Sequence, residues 1–389
     1  MKSYDVAIVG AGIIGLAHAY SFAKRGQRVA VFERSPQAMG ASVRNFGMVW
    51  TIGQPAGELQ ETAQASNRAW REVLANARLW HDPCGSLHLA YHELEQAVLK
   101  EFHSSASIRI TLLGPEDVTK IAPQVDPTGL HGGLFSPEEL CVDPREVVAK
   151  LPGWLKQELD VDFTFHQAVT QVKPGSLVVG GRLVEAARII VCSGDDYQTL
   201  LPDHFADSGL GRCKLQMMRA RPAVEGWRIG PMLCAGLTLT HYKNFADCPS
   251  LPALREQLAN EWPEHVRHGI HVLVSQFGTG EVTLGDTHEY GDAPTPFSDE
   301  RLDRLVLDYL GTFLRTECLE VVSRWVGVYS TYAHGAFYEA EPLPGVHVLT
   351  GVGGAGMTLS FGLAERTAAK ALSVGAPGPK APRPSNGPG

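Results

Sequence analysis

The chain has no apolar run of the roughly 18–20 residues that a membrane-spanning helix needs. It is also short of basic charge. Its 34 Lys and Arg against 42 Asp and Glu give a formal net charge of −8, which argues against a nucleic-acid partner, since phosphate contacts need a basic face. The seven cysteines (Cys84, Cys141, Cys192, Cys213, Cys234, Cys248, Cys318) are odd in number and never spaced Cys-x-x-Cys, so neither a disulfide framework nor a zinc ribbon is expected. A first strand beginning at residue 4 leaves no room ahead of it for a signal peptide, and a cytoplasmic location follows as the expectation. His265, His268 and His271 recur every third residue, but Gly269 interrupts them and they cannot share a helical face, so no metal is expected. Ser193 lies in no Gly-x-Ser-x-Gly elbow and is not read as a nucleophile.

What is present begins at the N-terminus. Val6 to Val9 form a short apolar run, followed by Gly10-Ala11-Gly12-Ile13-Ile14-Gly15, a helical pattern ending at Gly26, and a second strand over 28–33 that ends at Glu33. Glycines at these spacings give a tight turn, close approach to a pyrophosphate and close helix–strand packing, with the helix N-terminus facing the phosphates. Glu33, followed by Arg34, stands about 20 residues on, where an acidic side chain holds ribose hydroxyls. The chain therefore binds a dinucleotide.

Further along, a helix is expected over 58–80 with Trp70, Val73 and Leu74 on one face, and another opening at Asp143-Pro144, an N-cap followed by Pro at the first helical position. Strands are expected over 163–165, 169–172, 176–179 and 188–192, the last breaking at Ser193-Gly194. From 213 to 332 alternating strands dominate, including 237–241, 271–276 and 282–284. An acidic amphipathic helix over 299–314 interrupts them, its charged face read as solvated. A last strand over 346–350 leads into Gly351-Val352-Gly353-Gly354-Ala355-Gly356 and a helix to about 372. A second anion-receptive helix start suits a flavin, whose reduction places negative charge on the pyrimidine edge of the ring.

Taken in order, Gly10–Gly15, Glu33, the 40–48 loop, Asp143-Pro144, Ser193-Gly194, Gly285-Asp286-Thr287 and Gly351–Gly356 resemble the FAD-dependent amine and amino-acid oxidoreductases, the group of glycine oxidase, sarcosine oxidase and D-amino-acid oxidase. The resemblance covers nearly the whole chain to about 372. It implies an α/β (α+β) architecture with a Rossmann-like, discontinuous FAD-binding domain over 1–80, 143–205 and 335–374. A mixed-sheet substrate domain over 81–142 and 206–334 would cover the flavin, and 375–389, rich in Pro and Gly, is expected to be a disordered tail. It also implies that Ala41, Ser42, Asn45, Phe46, Gly47 and Met48 run along the flavin and that Val169 contacts the adenine side. Gly351, Gly353, Gly354, Gly356, Met357 and Thr358 would hold the ring's polar edge.

By the same resemblance a hydride passes from the carbon beside a small primary or N-methylated amine to flavin N5, and the imine is hydrolysed to a carbonyl compound. Oxygen or another acceptor then reoxidises the flavin. Relatives resembling glycine oxidase carry a carboxylate-clamping Arg where this chain has Tyr329. Sarcosine-oxidase-like relatives carry, one residue on, a Cys bonded to the flavin where this chain has Ser330, so FAD is expected to be non-covalent. A carboxylate-binding Lys of those relatives corresponds here to Thr358. The segment 40–50 is similar to a branch linked to aminophosphonates related to 2-aminoethylphosphonate. Candidates to hold such a substrate are Tyr329, Tyr332, His334, His241 and Thr358 as hydroxyl and imidazole donors, with Arg44, Arg219, Arg221 and Lys243 for charge. A glycine, sarcosine or D-amino-acid oxidase, an NADPH-dependent flavin hydroxylase, and a non-catalytic FAD-binding subunit remain as alternatives.

Overall fold

Val6, Ala7, Ile8 and Val9 are apolar without alternation, the pattern of a strand covered on both faces, and each is buried. In the computed structural model, which describes residues 3–373, they lie in Ser3–Val9, paired in parallel with Val29–Phe32 on one side and Arg182–Val191 on the other. The 375–389 stretch lies outside the described residues. Asp162–Thr164 extends this sheet beyond Val29–Phe32, and Val346–Thr350 pairs in parallel beyond Arg182–Val191. The hairpin Val169–Lys173 and Ser176–Val179 adds to the start of Arg182–Val191.

Ile13–Ala23 packs on this sheet, and Gly26 ends the helix in the left-handed region at φ +75°, where Gln27 N–H donates back to the Phe22 carbonyl at 3.2 Å. Leu16 and Phe22 of that helix share one core with Trp70 of Glu58–Ala77 and Phe361 of Gly356–Ser373. Trp70 Nε1 also donates to the Met357 carbonyl at 2.8 Å, which satisfies its one polar atom and fixes the start of the C-terminal helix. Removing a fully buried Trp of this kind costs about 3–5 kcal/mol. Asp143 caps Pro144–Leu159 as expected, its side chain accepting from the N–H groups of Arg145 and Glu146.

A second sheet runs in the order Glu289–Gly291, Leu210–Pro222, Val282–Gly285, Leu273–Gln276, Met232–Cys234, Ser86–Ala90, Gly132–Ser136 and Thr111–Leu113, with Leu319–Tyr332 paired along the whole length of Leu210–Pro222. Met48–Val49, Leu140–Val142 and His81–Asp82 form a small third sheet between them in sequence.

Two expectations fail here. The alternating Leu237-Thr238-Leu239-Thr240 is not a strand; Gly236–His241 is a short helix. Both leucines bury in the core, and the Leu237 N–H donates to the Tyr309 hydroxyl at 2.9 Å, so a tertiary partner overrides the period-two pattern. The charged face of Glu300–Leu310 is not wholly solvated either. Asp303 is buried and accepts from Gln216 Nε2 at 2.7 Å and Arg324 Nε at 2.9 Å, which pins the helix to the second sheet.

Candidate functional site

The nucleotide-fingerprint half is built from backbone. Gly10 has φ +100°, and a Cβ there would lie 2.5 Å from the Cys192 carbonyl oxygen. A Cβ on Gly15 would overlap the Gly10 carbonyl. The loop therefore keeps a cradle that side chains would fill, open at the start of the helix where partial positive charge accumulates. Glu33, buried at the end of its strand, accepts from Ala11 N at 2.9 Å and Ser35 N at 3.0 Å, so its carboxylate is held beside the glycine loop. Ser42 Oγ accepts from Ile13 N at 2.9 Å and joins the 40–48 loop to the same helix start. Ile14 is partly buried there against the core. Arg34 turns outward and pairs with Asp196 at 2.6 Å.

The 40–48 loop is cross-braced. Asn45 Nδ2 donates to the Ala41 carbonyl at 3.0 Å, Asn45 Oδ1 accepts from Gly47 N at 2.8 Å, the Phe46 carbonyl accepts from the Ser275 hydroxyl, and Met48 pairs with Cys141. On the other side, Thr350 Oγ1 donates to the Gly194 carbonyl at 2.6 Å, tying Ser193-Gly194 to the strand that feeds Gly351. Val169 is buried on the hairpin at the edge of the first sheet. A short 3-10 turn over Gly353–Ala355 leads into Gly356–Ser373, in which Met357 is buried and Thr358 Oγ1 accepts from Trp50 N at 2.9 Å.

Above this second glycine loop stands a ring of polar side chains. The Tyr329 hydroxyl is 4.0 Å from where a Cβ on Gly354 would be. Tyr329 lies opposite Cys213 in the strand register, and burial, reinforced by Cys213, Tyr290 and Asp286 nearby, holds its hydroxyl well above its usual pKa and so neutral. Tyr290 is largely exposed, and partial desolvation with Cys213 and Asp286 nearby raises its hydroxyl in the same direction. His288 stacks 5.9 Å from Tyr290, and His288, His271 and His241 lie 3.9–5.1 Å apart by ring centroid. Tyr242 packs against His241 and His271 and stacks on Trp50, whose backbone N–H is the one bound to Thr358. Asp286 is buried beside the histidines, 3.4 Å from His271 Nε2 and 3.9 Å from His288 Nε2, and loss of solvent raises its pKa. Desolvation, with the neighbouring imidazoles, drives His271 well below 6.5. Loss of solvent, with His288 nearby, lowers His241 in the same direction, although the residue stays partly open to solvent.

Not every candidate reaches this ring. Arg221 is exposed and pairs with Glu281 at 2.9 Å, eight residues along its strand from Cys213, or roughly 26 Å. Arg219 is buried between Phe277 and Trp325. Tyr332, three residues beyond Tyr329, turns to the opposite side of its strand, packing on Tyr338 and His334 and lining a groove of about 490 Å³ with Phe337 and Arg366. Lys243 is exposed, just past the Tyr242 bend. Arg44 does approach, its Nη1 donating to the Val326 carbonyl at 3.2 Å and its backbone lying against Gly327. Ser330 is buried with its hydroxyl on Tyr197. A larger groove of about 690 Å³, lined by Trp80, Cys84, Phe135 and Arg228, lies beyond Gln276, at the far end of its strand from His271, and carries none of these groups.

His288, Tyr290 and Tyr242 escaped the sequence reading, while His271, Asp286 and Trp50 were read only within the histidine spacing, the 285–287 motif and the 40–50 segment. The His265/His268/His271 spacing pointed the wrong way. His265 bonds the Leu305 carbonyl and His268 faces Glu264 and Arg301, while His271 joins two distant histidines instead.

The chain resembles glycine oxidase of Bacillus licheniformis, 29% identical over 155 residues that span 38% of this chain and 41% of that protein. Its fold matches glycine oxidase from Geobacillus kaustophilus (TM-score 0.75, 19% identity, 96% of this chain and 95% of the other) and L-proline dehydrogenase from P. horikoshii (TM-score 0.79, 16% identity, 97% and 96%). The matched segment spans about two fifths of that relative's length. Residues 5–370 match the FAD dependent oxidoreductase profile, and the chain, with a glycine cradle that fits the nucleotide, belongs to that family and takes FAD as its cofactor.

Proposed function

We propose that this protein oxidises a small primary or N-methylated amine carrying a tetrahedral acid group, favouring an aminophosphonate related to 2-aminoethylphosphonate, to an imine that water hydrolyses to a carbonyl compound. Bound FAD supplies the two-electron acceptor for the carbon beside the nitrogen. Glu33 is assigned to the ribose, Gly10, Gly12 and Gly15 to the pyrophosphate, the 40–48 loop to the length of the flavin, and Gly351–Thr358 to its polar edge. Ser330 in place of a cysteine supports non-covalent attachment. The first sheet with its helices is assigned to the FAD-binding domain and the second to the substrate domain.

The observation that carries the substrate class is Tyr329 standing beside Gly354. A planar carboxylate is best held by the two parallel N–H groups of a guanidinium, and no such fork occupies this position. The Tyr329 and Tyr290 hydroxyls and the imidazoles approach from several directions, which suits three oxygens on a tetrahedral phosphorus. Arg44, on the same side of the strand pair, supplies a cation. The neutral, desolvated Tyr329 and His271 also favour an amine bound without its proton, whose lone pair assists departure of the neighbouring hydride.

Anaerobic mixing of the flavoprotein with 2-aminoethylphosphonate, its N-methyl form, glycine, sarcosine and D-alanine tests this directly. Flavin bleaching and carbonyl release with a phosphonate are expected. Bleaching with the carboxylates alone would overturn the substrate class.

A further inference from the structure

His241, His271 and His288 come from a helix end, the approach to a strand and the loop after Gly285, yet one nitrogen from each lies within 4.8 Å of the others. We propose that these three histidines bind a divalent transition-metal ion of the zinc class.

Several independent features support it. Some point lies within about 2.8 Å of all three atoms at such spacing, so reaching a zinc–nitrogen bond of about 2.0–2.1 Å brings each nitrogen in by about 0.7 Å. The stacked His241 and His271 rings, 3.9 Å apart, must rotate apart so that their in-plane lone pairs converge on the ion. The His288 Nδ1–H donates to the Gly269 carbonyl at 2.8 Å, which fixes the tautomer and leaves the Nε2 lone pair for a metal, the outer-shell arrangement that ligating histidines show. His271 Nδ1 and Asp286 Oδ1 are buried with no hydrogen-bond partner. Such atoms are costly unless something absent from the polypeptide satisfies them. The Asp286 carboxylate, 3.4 Å from His271 Nε2 and 3.9 Å from His288 Nε2, adds negative charge beside the imidazoles and offsets part of the dication's desolvation.

Three protein nitrogens leave one position of a tetrahedral ion open. In the further step that rests on the proposed substrate class, that position takes a phosphonate oxygen and supplies the positive charge that an arginine at 329 would have brought.

The site is tested on the FAD-loaded protein without substrate. After chelator treatment and desalting, Zn²⁺ and Co²⁺ are titrated, and bound metal is read by elemental analysis, by the visible bands of tetrahedral Co²⁺ and by the metal-dependent shift of the unfolding midpoint. One equivalent per chain is expected. Affinity should fall at least tenfold in His241→Asn, whose exposed ring can be lost without disturbing the core, and at least as far in His271→Ala. His265→Asn should bind as the parent does. Less than a tenth of an equivalent in the parent, or equal affinity in His241→Asn, overturns the metal site. Substrate assays separate the two claims. Metal binding with no flavin bleaching by any phosphonate leaves the site standing and removes the substrate reading. Bleaching with an unchanged KM in chelated protein overturns the metal–phosphonate link.

Discussion

Replacing Glu139 by Gln should stabilise the protein at alkaline pH and leave it nearly unchanged at pH 4.5. Glu139 is fully buried, accepting from Ile52 N at 2.9 Å and from the Ser86 hydroxyl at 3.2 Å. It thus holds the segment just after Trp50 to the second sheet, one step from the proposed site. Those bonds favour the charged carboxylate, but burial dominates and raises its pKa from 4.5 to about 7. A carboxyl with a raised folded pKa contributes its full share below 4.5, and that share is lost as pH climbs through 7. From the two values the loss is about 3 kcal/mol. For a chain of this length that corresponds to roughly 4 °C in the unfolding midpoint. Gln keeps the oxygen that serves Ile52, turns its amide to the Ser86 oxygen and carries no charge to bury. Thermal unfolding of parent and Glu139→Gln, both saturated with FAD, is compared at steps from pH 4.5 to 8.5. The midpoint difference should open in favour of Gln across pH 5–8 and then level. A pH-independent difference, or a variant less stable than the parent at pH 8, would refute the reasoning.

Gly15→Ala places a Cβ against the Gly10 carbonyl, so despite the roughly 1 kcal/mol that Ala gains in helix propensity it should lose about 1–3 kcal/mol and release FAD, seen as a fall in flavin absorbance per chain after gel filtration. Thr358→Val leaves the Trp50 N–H buried without its acceptor and should cost about 1–3 kcal/mol in a denaturant titration, with Thr358→Ser restoring most of it. Tyr329→Arg supplies the missing guanidinium fork, and the ratio of kcat/KM for sarcosine to that for an N-methyl aminophosphonate should rise at least tenfold; an unchanged ratio would show that position 329 does not face the substrate's acid group.

How far the sequence carries depends on how local each feature is. Gly10, Gly12 and Gly15 act through a single turn, Gly26 and Asp143 end and begin helices through bonds spanning a few residues, and Val6–Val9 announces a strand covered on both faces. These were legible because the physics sits within one short window. The dinucleotide, and through the second glycine loop the flavin, were legible for the same reason, as was the absence of an arginine at 329.

Everything around that tyrosine was decided in three dimensions. Leu237–Leu239 alternates like a strand and is helical because Tyr309 takes its N–H. Asp303 reads as a solvated charge and is buried because Gln216 and Arg324 meet it there. Arg221 was a plausible cation on paper, but a strand advances about 3.3 Å per residue and carries it far from Tyr329. His241, His271 and His288 are separated by 30 and 17 positions, and no periodicity connects them. Antiparallel pairing of Leu273–Gln276 with Val282–Gly285 brings the last two together, and the short helix Gly236–His241 delivers the first. Contacts between residues so distant in sequence leave no local pattern. The sequence by itself determined the cofactor, and tertiary structure alone assembled the ring of polar side chains beside Gly354.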